Sequence, residues 1–275
     1  MNPSQPSLTI AVLQAAGAEA NVEANIARMA RAAHQAKAAG AELLITPEMF
    51  LTGYNIGDRL APLVSGKLEN QVQQLAREAG IALAVGTALP MGAGISNAVL
   101  LVDDSGTTLA RYDKTHLFGE LDRALFTAGS TLGPVIEFHG VMLGFLICYD
   151  VEFPETVRAL TLAGAELLIV PTAQMEPYAF VAEHLIRVRA WENQTAIAYA
   201  NRVGTEGVLR YVGRSSIVGP DGTVLACADP ASEALLIATI DAQAVRAARR
   251  QNPYLHDRRP ELAVITHPIQ KKASA

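Results

Sequence analysis

The sequence predicts an α/β fold in which two mixed sheets pack face to face with helices on their outer sides. Three observations lead there. Strand-length apolar runs alternate with segments of helical periodicity through both halves of the chain. Each half also carries an antiparallel hairpin, signalled by the turn sequences Asp103-Asp-Ser-Gly106 and Gly219-Pro-Asp-Gly222. Finally, Gly40-Ala-Glu-Leu-Leu-Ile-Thr-Pro47 returns as Gly164-Ala-Glu-Leu-Leu-Ile-Val-Pro171. Each copy begins at the glycine closing a helix. The echo reads as two related halves within one domain, although helix–Gly–apolar strand–Pro also arises from local rules alone. It sets Glu48 and Thr172 at equivalent strand ends.

In order, Leu8 to Gln14 is an apolar strand. Asn21 to Ala39 is a helix, capped by Asn21 and closed by Gly40, with Val22, Ile26, Met29 and Ala33 at helical spacing. Leu43 to Thr46 is a second strand, ending in Pro47 and Glu48. Thr52 to Ser65, with two glycines and a proline, reads as loop. Lys67 to Ala79 is helical, with Leu68, Val72 and Leu75 on one face. Ile81 to Gly86 is a buried strand, and Asn97–Val102 pairs with Thr107–Tyr112 as a hairpin. In the second half, the apolar run from Val141 ends abruptly at Cys148. A short helix, the strand Leu167–Val170, a longer helix through Trp191 and the strand Ala196–Ala200 follow. The hairpin around Gly219 and a strand from Leu235 to Ile240 complete the core. The tail from Gln251 has no clear periodicity.

Half of the 275 residues are hydrophobic and only 18% are charged, which excludes disorder over most of the chain. A net charge of −5 without a basic patch argues against nucleic acid. No run approaches the roughly 18 apolar residues of a membrane span. The first residues lack the basic and apolar regions of a secretion signal. Cys148 and Cys227 do not make a disulfide framework, so a reducing cytoplasm is the expected compartment.

The chemistry-bearing residues gather at strand ends. Cys148 stands where a buried strand meets a polar turn, a rigid place from which a thiol can attack a ligand. It also fits a buried structural thiol, as Cys227 does. Glu48, flanked by Met49 and Phe50, is a carboxylate among apolar neighbours. Desolvation there raises its pKa and suits it to general base and acid work. Lys114, just past a strand, offers a cation that favours a thiolate and meets a developing oxyanion, although on that segment alone a solvated lysine is the commoner case. Glu120 is a candidate to hold Lys114 charged. His116 suggests a structural role in its loop. There is no G-x-S-x-G elbow, no phosphate-binding glycine loop and no histidine spacing suited to a metal.

Three segments go beyond generic α/β sequence: Thr46-Pro-Glu-Met-Phe-Leu-Thr-Gly-Tyr54, Tyr112-Asp-Lys-Thr-His-Leu-Phe118 and Ile147-Cys-Tyr-Asp-Val-Glu-Phe-Pro-Glu155. In this order and spacing they resemble the nitrilase superfamily of carbon–nitrogen hydrolases, from about Leu8 to Ile240. The resemblance implies a four-layer α-β-β-α sandwich and a catalytic set of Glu48, Lys114 and Cys148. It places a second glutamate at Glu120 and an oxyanion donor at the Tyr149 N–H. It also implies a small-molecule amide substrate, no metal or organic cofactor, and pairing of subunits. On that reading residues 1–275 are one domain, with residues 241–275 an extension at a subunit interface.

Pro47 to Gly57, Lys114 to Arg123 and Pro171 to Tyr178 resemble bacterial 5-aminopentanamidases in particular, which implies an amino-amide substrate. Tyr54, Asp122, Tyr149, Glu152, Thr172, Ala173 and Glu176 are the candidate substrate contacts. Glu152 stands where carbamoylases of the family that bind a substrate carboxylate can carry an arginine. A carboxylate there repels an acid and attracts an ammonium; it equally fits a helix N-terminus.

Overall fold

In a computed structural model describing residues 6–263, the chain opens with β1 (Ser7–Gln14) and α1 (Val22–Ala38). Asn21 caps α1, its side chain accepting the Ala24 N–H at 3.0 Å. The buried side of α1 is Asn25, Met29, Ala32, Ala33 and Ala36. It is rotated from the expected Val22–Ile26 stripe because Asn25 turns inward to bond the backbones of Ala18 and Leu51. Then come β2 (Leu43–Ile45), α2 (Lys67–Ala79), β3 (Ala82–Met91), β4 (Gly94–Val102), β5 (Thr108–Asp113) and a short α3 (Gly119–Leu125).

The second half runs β6 (Ile136–Phe138), β7 (Val141–Phe145), a 3-10 turn over Cys148–Glu152, α4 (Pro154–Leu162) and β8 (Leu167–Pro171). A π-turn over Val181–Leu185 leads into α5 (Ile186–Asn193), then β9 (Ala196–Ala200) and a ribbon of β10 (Val203–Glu206) and β11 (Leu209–Val212). β12 (Ser216–Val218), β13 (Val224–Cys227), β14 (Ala234–Asp241), α6 (Ala242–Gln251) and α7 (Tyr254–Asp257) complete the named helices and strands.

One sheet has the order β14-β1-β2-β3-β4-β5, the other β6-β7-β8-β9-β12-β13. Read in those directions, both show the same pairing signs: antiparallel, parallel, parallel, antiparallel, antiparallel. β2 and β8, the strands of the sequence echo, hold equivalent places. At their ends the halves meet, and the Glu48 N–H donates to the Thr172 carbonyl at 3.3 Å.

The layers follow from alternation along the strands. Ile10, Val12, Leu43 and Ile45 face Leu143, Phe145, Leu167 and Ile169 between the sheets. Ala11, Leu13 and Leu44 face outward against α1 and α2, and Leu168, Val170 and Ile197 outward against α4 and α5. The expected α-β-β-α order results.

The sequence reading missed α3, the β10–β11 ribbon and α6. It also ended the core too early. Ala242 and Val245 of α6 are fully buried, so the packed core continues past Ile240 into that helix. The part of the proposed extension beyond Ala263 lies outside the described residues.

Candidate active site

Glu48, Lys114, Cys148 and Thr172 lie just beyond the ends of β2, β5, β7 and β8, on loops at one end of the sandwich. Outside the carboxyl ends of parallel strands is where α/β sheets leave room for ligands. Cys148 adopts φ +46°, a left-handed conformation rare for a residue with a side chain, and Met49 beside Glu48 adopts φ +52°. Such conformations cost about 1–3 kcal/mol each and are held by surrounding bonds. At Cys148 those bonds come from Asp150. Its carboxylate accepts the Ile147 N–H at 3.0 Å, the Tyr112 hydroxyl at 2.8 Å and the His116 N–H at 2.9 Å. His116 therefore braces the turn, its ring stacked on Phe153 at 4.2 Å. Arg189 ties the far side, donating to the Val151 and Glu152 carbonyls.

The side chains of Glu48, Lys114 and Asp122 are wholly buried. Lys114 Nζ donates to Glu48 Oε1 at 2.8 Å and to Asp122 Oδ2 at 2.7 Å. Asn97 Nδ2 donates to the same Glu48 Oε1 at 2.6 Å. Glu48 Oε2 is buried and has no hydrogen-bond partner among the described residues.

Burial is the largest influence on Glu48. It raises the carboxyl above its ordinary value, against the pull of Lys114 and Asn97. Burial also opposes the charge on Lys114, but Glu48 and Asp122 together outweigh it and hold the ammonium well above its usual range. Cys148 lies in the electrostatic field of both Glu48 and Lys114. Burial, then the Glu48 charge, push its thiol well up, while Lys114, Thr172 and the Ala173 backbone N–H favour the thiolate. The resting thiol is thus protonated, with a raised carboxylate to deprotonate it. Thr172 Oγ1 is itself buried without a hydrogen bond of ordinary geometry among the described residues.

Residues 9–250 match the carbon–nitrogen hydrolase family. The chain belongs to that family. A hydrolase named for the 5′ region of pqqF in Pseudomonas protegens is 47% identical, the match covering 93% of this chain and 90% of that protein. An (R)-stereoselective amidase of a Pseudomonas species is 37% identical, covering 92% of each. Among solved structures, a cysteine mutant of an amidase of the nitrilase superfamily from Nesterenkonia superposes with a TM-score of 0.84 at 35% identity, over 95% of this chain and 97% of that one. Another mutant of that amidase carries the acetamide moiety of fluoroacetamide added covalently at its active-site cysteine.

In this carbon–nitrogen hydrolase the structure corrects several expected contacts. Glu120 does not reach Lys114. Its side chain is 93% exposed and pairs with Arg123 on the surface. Residues 120 and 122 lie two apart on α3, so about 200° of helical rotation turns Asp122 inward and Glu120 outward. Asp122 in turn is not open to a substrate amine, because Lys114, the Tyr54 hydroxyl and the Phe118 N–H occupy its oxygens. Tyr54 is fully buried and spends its hydroxyl on Asp122 at 2.6 Å, so it offers no free pocket wall. Glu176 is on the surface, 3.7 Å from Arg210.

Glu152 is half-buried within the field of Lys114, where burial raises its carboxyl despite Lys114, Gln174 and Arg189. Tyr149, also half-buried, packs edge-on against Phe118 and Phe153. Ala173 is buried with its N–H toward the thiol.

Asn97, Asp150 and Gln174 escaped the sequence reading. Gln174 is buried, with Oε1 3.9 Å from Cys148 Sγ and 3.5 Å from the Tyr199 hydroxyl. Asn97 carried a signal, being an amide at the head of the apolar run that ends β4.

Proposed function

We propose that this enzyme hydrolyses the primary amide of a small amino-amide, such as 5-aminopentanamide, through a thioester on Cys148. The observation that carries the reading is the buried Glu48 Oε2, without a hydrogen-bond partner among the described residues and with its charge felt by the Cys148 thiol, while the other carboxylate oxygen is pinned by Lys114 and Asn97. Oε2 accepts the thiol proton as sulfur attacks the amide carbon. Lys114 and the Tyr149 N–H meet the oxyanion; one such donor is worth about 3–4 kcal/mol of barrier. The C–N bond breaks as Glu48 passes its proton to the departing ammonia. Glu48 then takes a proton from water, hydroxide attacks the thioester, the C–S bond breaks and the proton returns to sulfur. The amidases among the relatives, one alkylated at its active-site cysteine, support this chemistry.

For the amine, Glu152 is the available half-buried carboxylate, with Gln174 between it and the thiol. We also infer that subunits pair through the outer face of α4 and α5, where Leu162, Val188 and Trp191 are exposed.

The test is ammonia release from 5-aminopentanamide, an uncharged amide of similar length, a cyclic amino-acid amide, an N-carbamoyl amine and a nitrile. Cys148→Ala is run beside the native enzyme and is expected to be silent. Near-native turnover by that variant rules the scheme out. Preference for 5-aminopentanamide, with KM raised by Glu152→Gln for that substrate alone, is the expected pattern. Preference for the cyclic or uncharged amide keeps the mechanism and removes the amine site.

A further inference from the structure

A second buried charged cluster lies outside the reacting groups. Arg202 and Glu206, each about 1% exposed, pair at 3.1 Å. Glu206 stands on β10 of the ribbon that belongs to neither large sheet. Its carboxylate accepts the Tyr54 N–H at 3.0 and 3.1 Å, the Asn55 N–H at 2.7 Å and the Tyr211 hydroxyl at 2.5 Å. It sits so close to Gly53 that a Cβ there would lie 2.9 Å from Oε1. Arg202 donates to the Met49 carbonyl at 3.3 Å and the Ala16 carbonyl at 2.7 Å. The pair thus grips residues 49–55, the segment that begins next to Glu48.

The same ribbon grips the opposite wall. Val212 N–H donates to the Gln174 carbonyl at 3.0 Å, and Glu176 N–H donates to the Arg210 carbonyl at 2.9 Å. From Tyr54 the path returns to the reacting groups: its hydroxyl holds Asp122, Asp122 holds Lys114, and Lys114 holds Glu48.

We propose that Glu206 is a positioning residue for the reaction, fixing the Glu48 loop directly and the Lys114 ammonium through Tyr54 and Asp122. This rests on the amidase reading above for its substrate, though not for its geometry. Every described partner of Glu206 donates a hydrogen bond to it, so a glutamine must turn its NH2 against a donor. Glu206→Gln is therefore expected to loosen the segment, while Glu206→Asp keeps the charge and falls between it and the native enzyme.

The experiment compares kcat, KM and the pH profile of kcat/KM for Glu206→Gln, Glu206→Asp, Tyr54→Phe and, as a control on the exposed side of β10, Thr205→Ala. Glu206→Gln and Tyr54→Phe are expected to lower kcat by about tenfold or more, as small misplacements of reacting groups do, with KM within about twofold. Their acid limb is expected to move to higher pH, because a loosened Lys114 no longer lowers the Glu48 pKa. Thr205→Ala is expected to match the native enzyme. A purely structural role lowers the melting temperature but leaves kcat per folded molecule and the acid limb unchanged, and that result overturns the proposal. If Glu206→Gln does not fold, Tyr54→Phe decides by the same criteria. The rate of Cys148 alkylation by iodoacetamide is read in every protein. If the native enzyme releases no ammonia, the amidase reading has failed. The proposal then stands or falls on whether Glu206→Gln and Tyr54→Phe shift the pH dependence of alkylation.

Discussion

Glu48 is asked to be a base, which it can be only while ionised. Burial lifts its pKa above the ordinary 4.5, and the bonds from Lys114 and Asn97 bring it part of the way back. The acid limb of kcat/KM is therefore expected at higher pH than an unperturbed glutamate would set. Burial acts in the same direction on the thiol, lifting it well above its ordinary 9.0, while Lys114 is held well above 10.5, so neither group closes the window near neutrality. Asn97→Ala removes one of the two donors at Glu48 Oε1. A hydrogen bond to a charged group is worth about 1.5–3 kcal/mol, so kcat is expected to fall at least about tenfold. The acid limb should move further up, since the lost bond favoured the carboxylate. A pH–rate profile of this variant that overlays the native one would count against Glu48 as the base.

The elements carrying these residues were legible in different degrees. α2 was readable to its ends because Leu68, Val72 and Leu75 form one apolar stripe and Gly80 closes it in the left-handed conformation. The echo around β2 and β8 was readable because both strands are buried between the sheets and helices and so are apolar throughout. The β10–β11 ribbon was not, because its buried residues, Val203, Glu206, Tyr211 and Val212, do not alternate along the strands, and Glu206 finds its backbone donors at Tyr54 and Asn55, far away in sequence. The Glu48, Lys114 and Cys148 segments stood out through their order along the chain. Glu120 rather than Asp122 was expected at Lys114 because the sequence carries no clear signal for the short helix α3, and only that helix decides which carboxylate turns in. Strand packing gives a further expectation at Gly86 of β3. A Cβ there would clash with the Pro47 carbonyl and lie 2.8 Å from the Glu48 Cα. Gly86→Ala must displace the strand end that carries the base. The expected result is a folded but less stable protein, losing about 1–3 kcal/mol to overpacking, with a larger fractional loss in kcat than in substrate binding. Native kcat in this variant would mean that Glu48 tolerates displacement.

At the scale of the molecule, the repeated half explains where the site is: two equivalent strand ends, one bearing Glu48 and the other Thr172, meet at the seam between sheets. The halves are also joined across their edges. α6 follows β14 of the first sheet, yet Arg246 pairs with Glu166 at 2.7 Å, and Arg249 donates to the Ala165 and Gln194 carbonyls of the second half. Among the described residues, the α4–α5 layer is left partly uncovered on its outer side. Its inner side packs on the second sheet, while Val188 and Trp191, one turn apart on α5, are each 48% exposed and Leu162 of α4 is 44% exposed. Tyr254 of α7 leans toward Trp191 at 6.5 Å without covering it. Pairing of two copies through this face would bury the exposed half of these side chains, on the order of 1 kcal/mol each. The native enzyme is then expected to sediment as a dimer or larger even-numbered assembly. Trp191→Glu places a charge in the contact and is expected to shift it toward monomer, since an unpaired buried charge is expensive. Sedimentation velocity over a range of protein concentrations decides the matter. A native protein that stays monomeric throughout removes the interface, whereas a Trp191→Glu protein that stays paired moves it to another face.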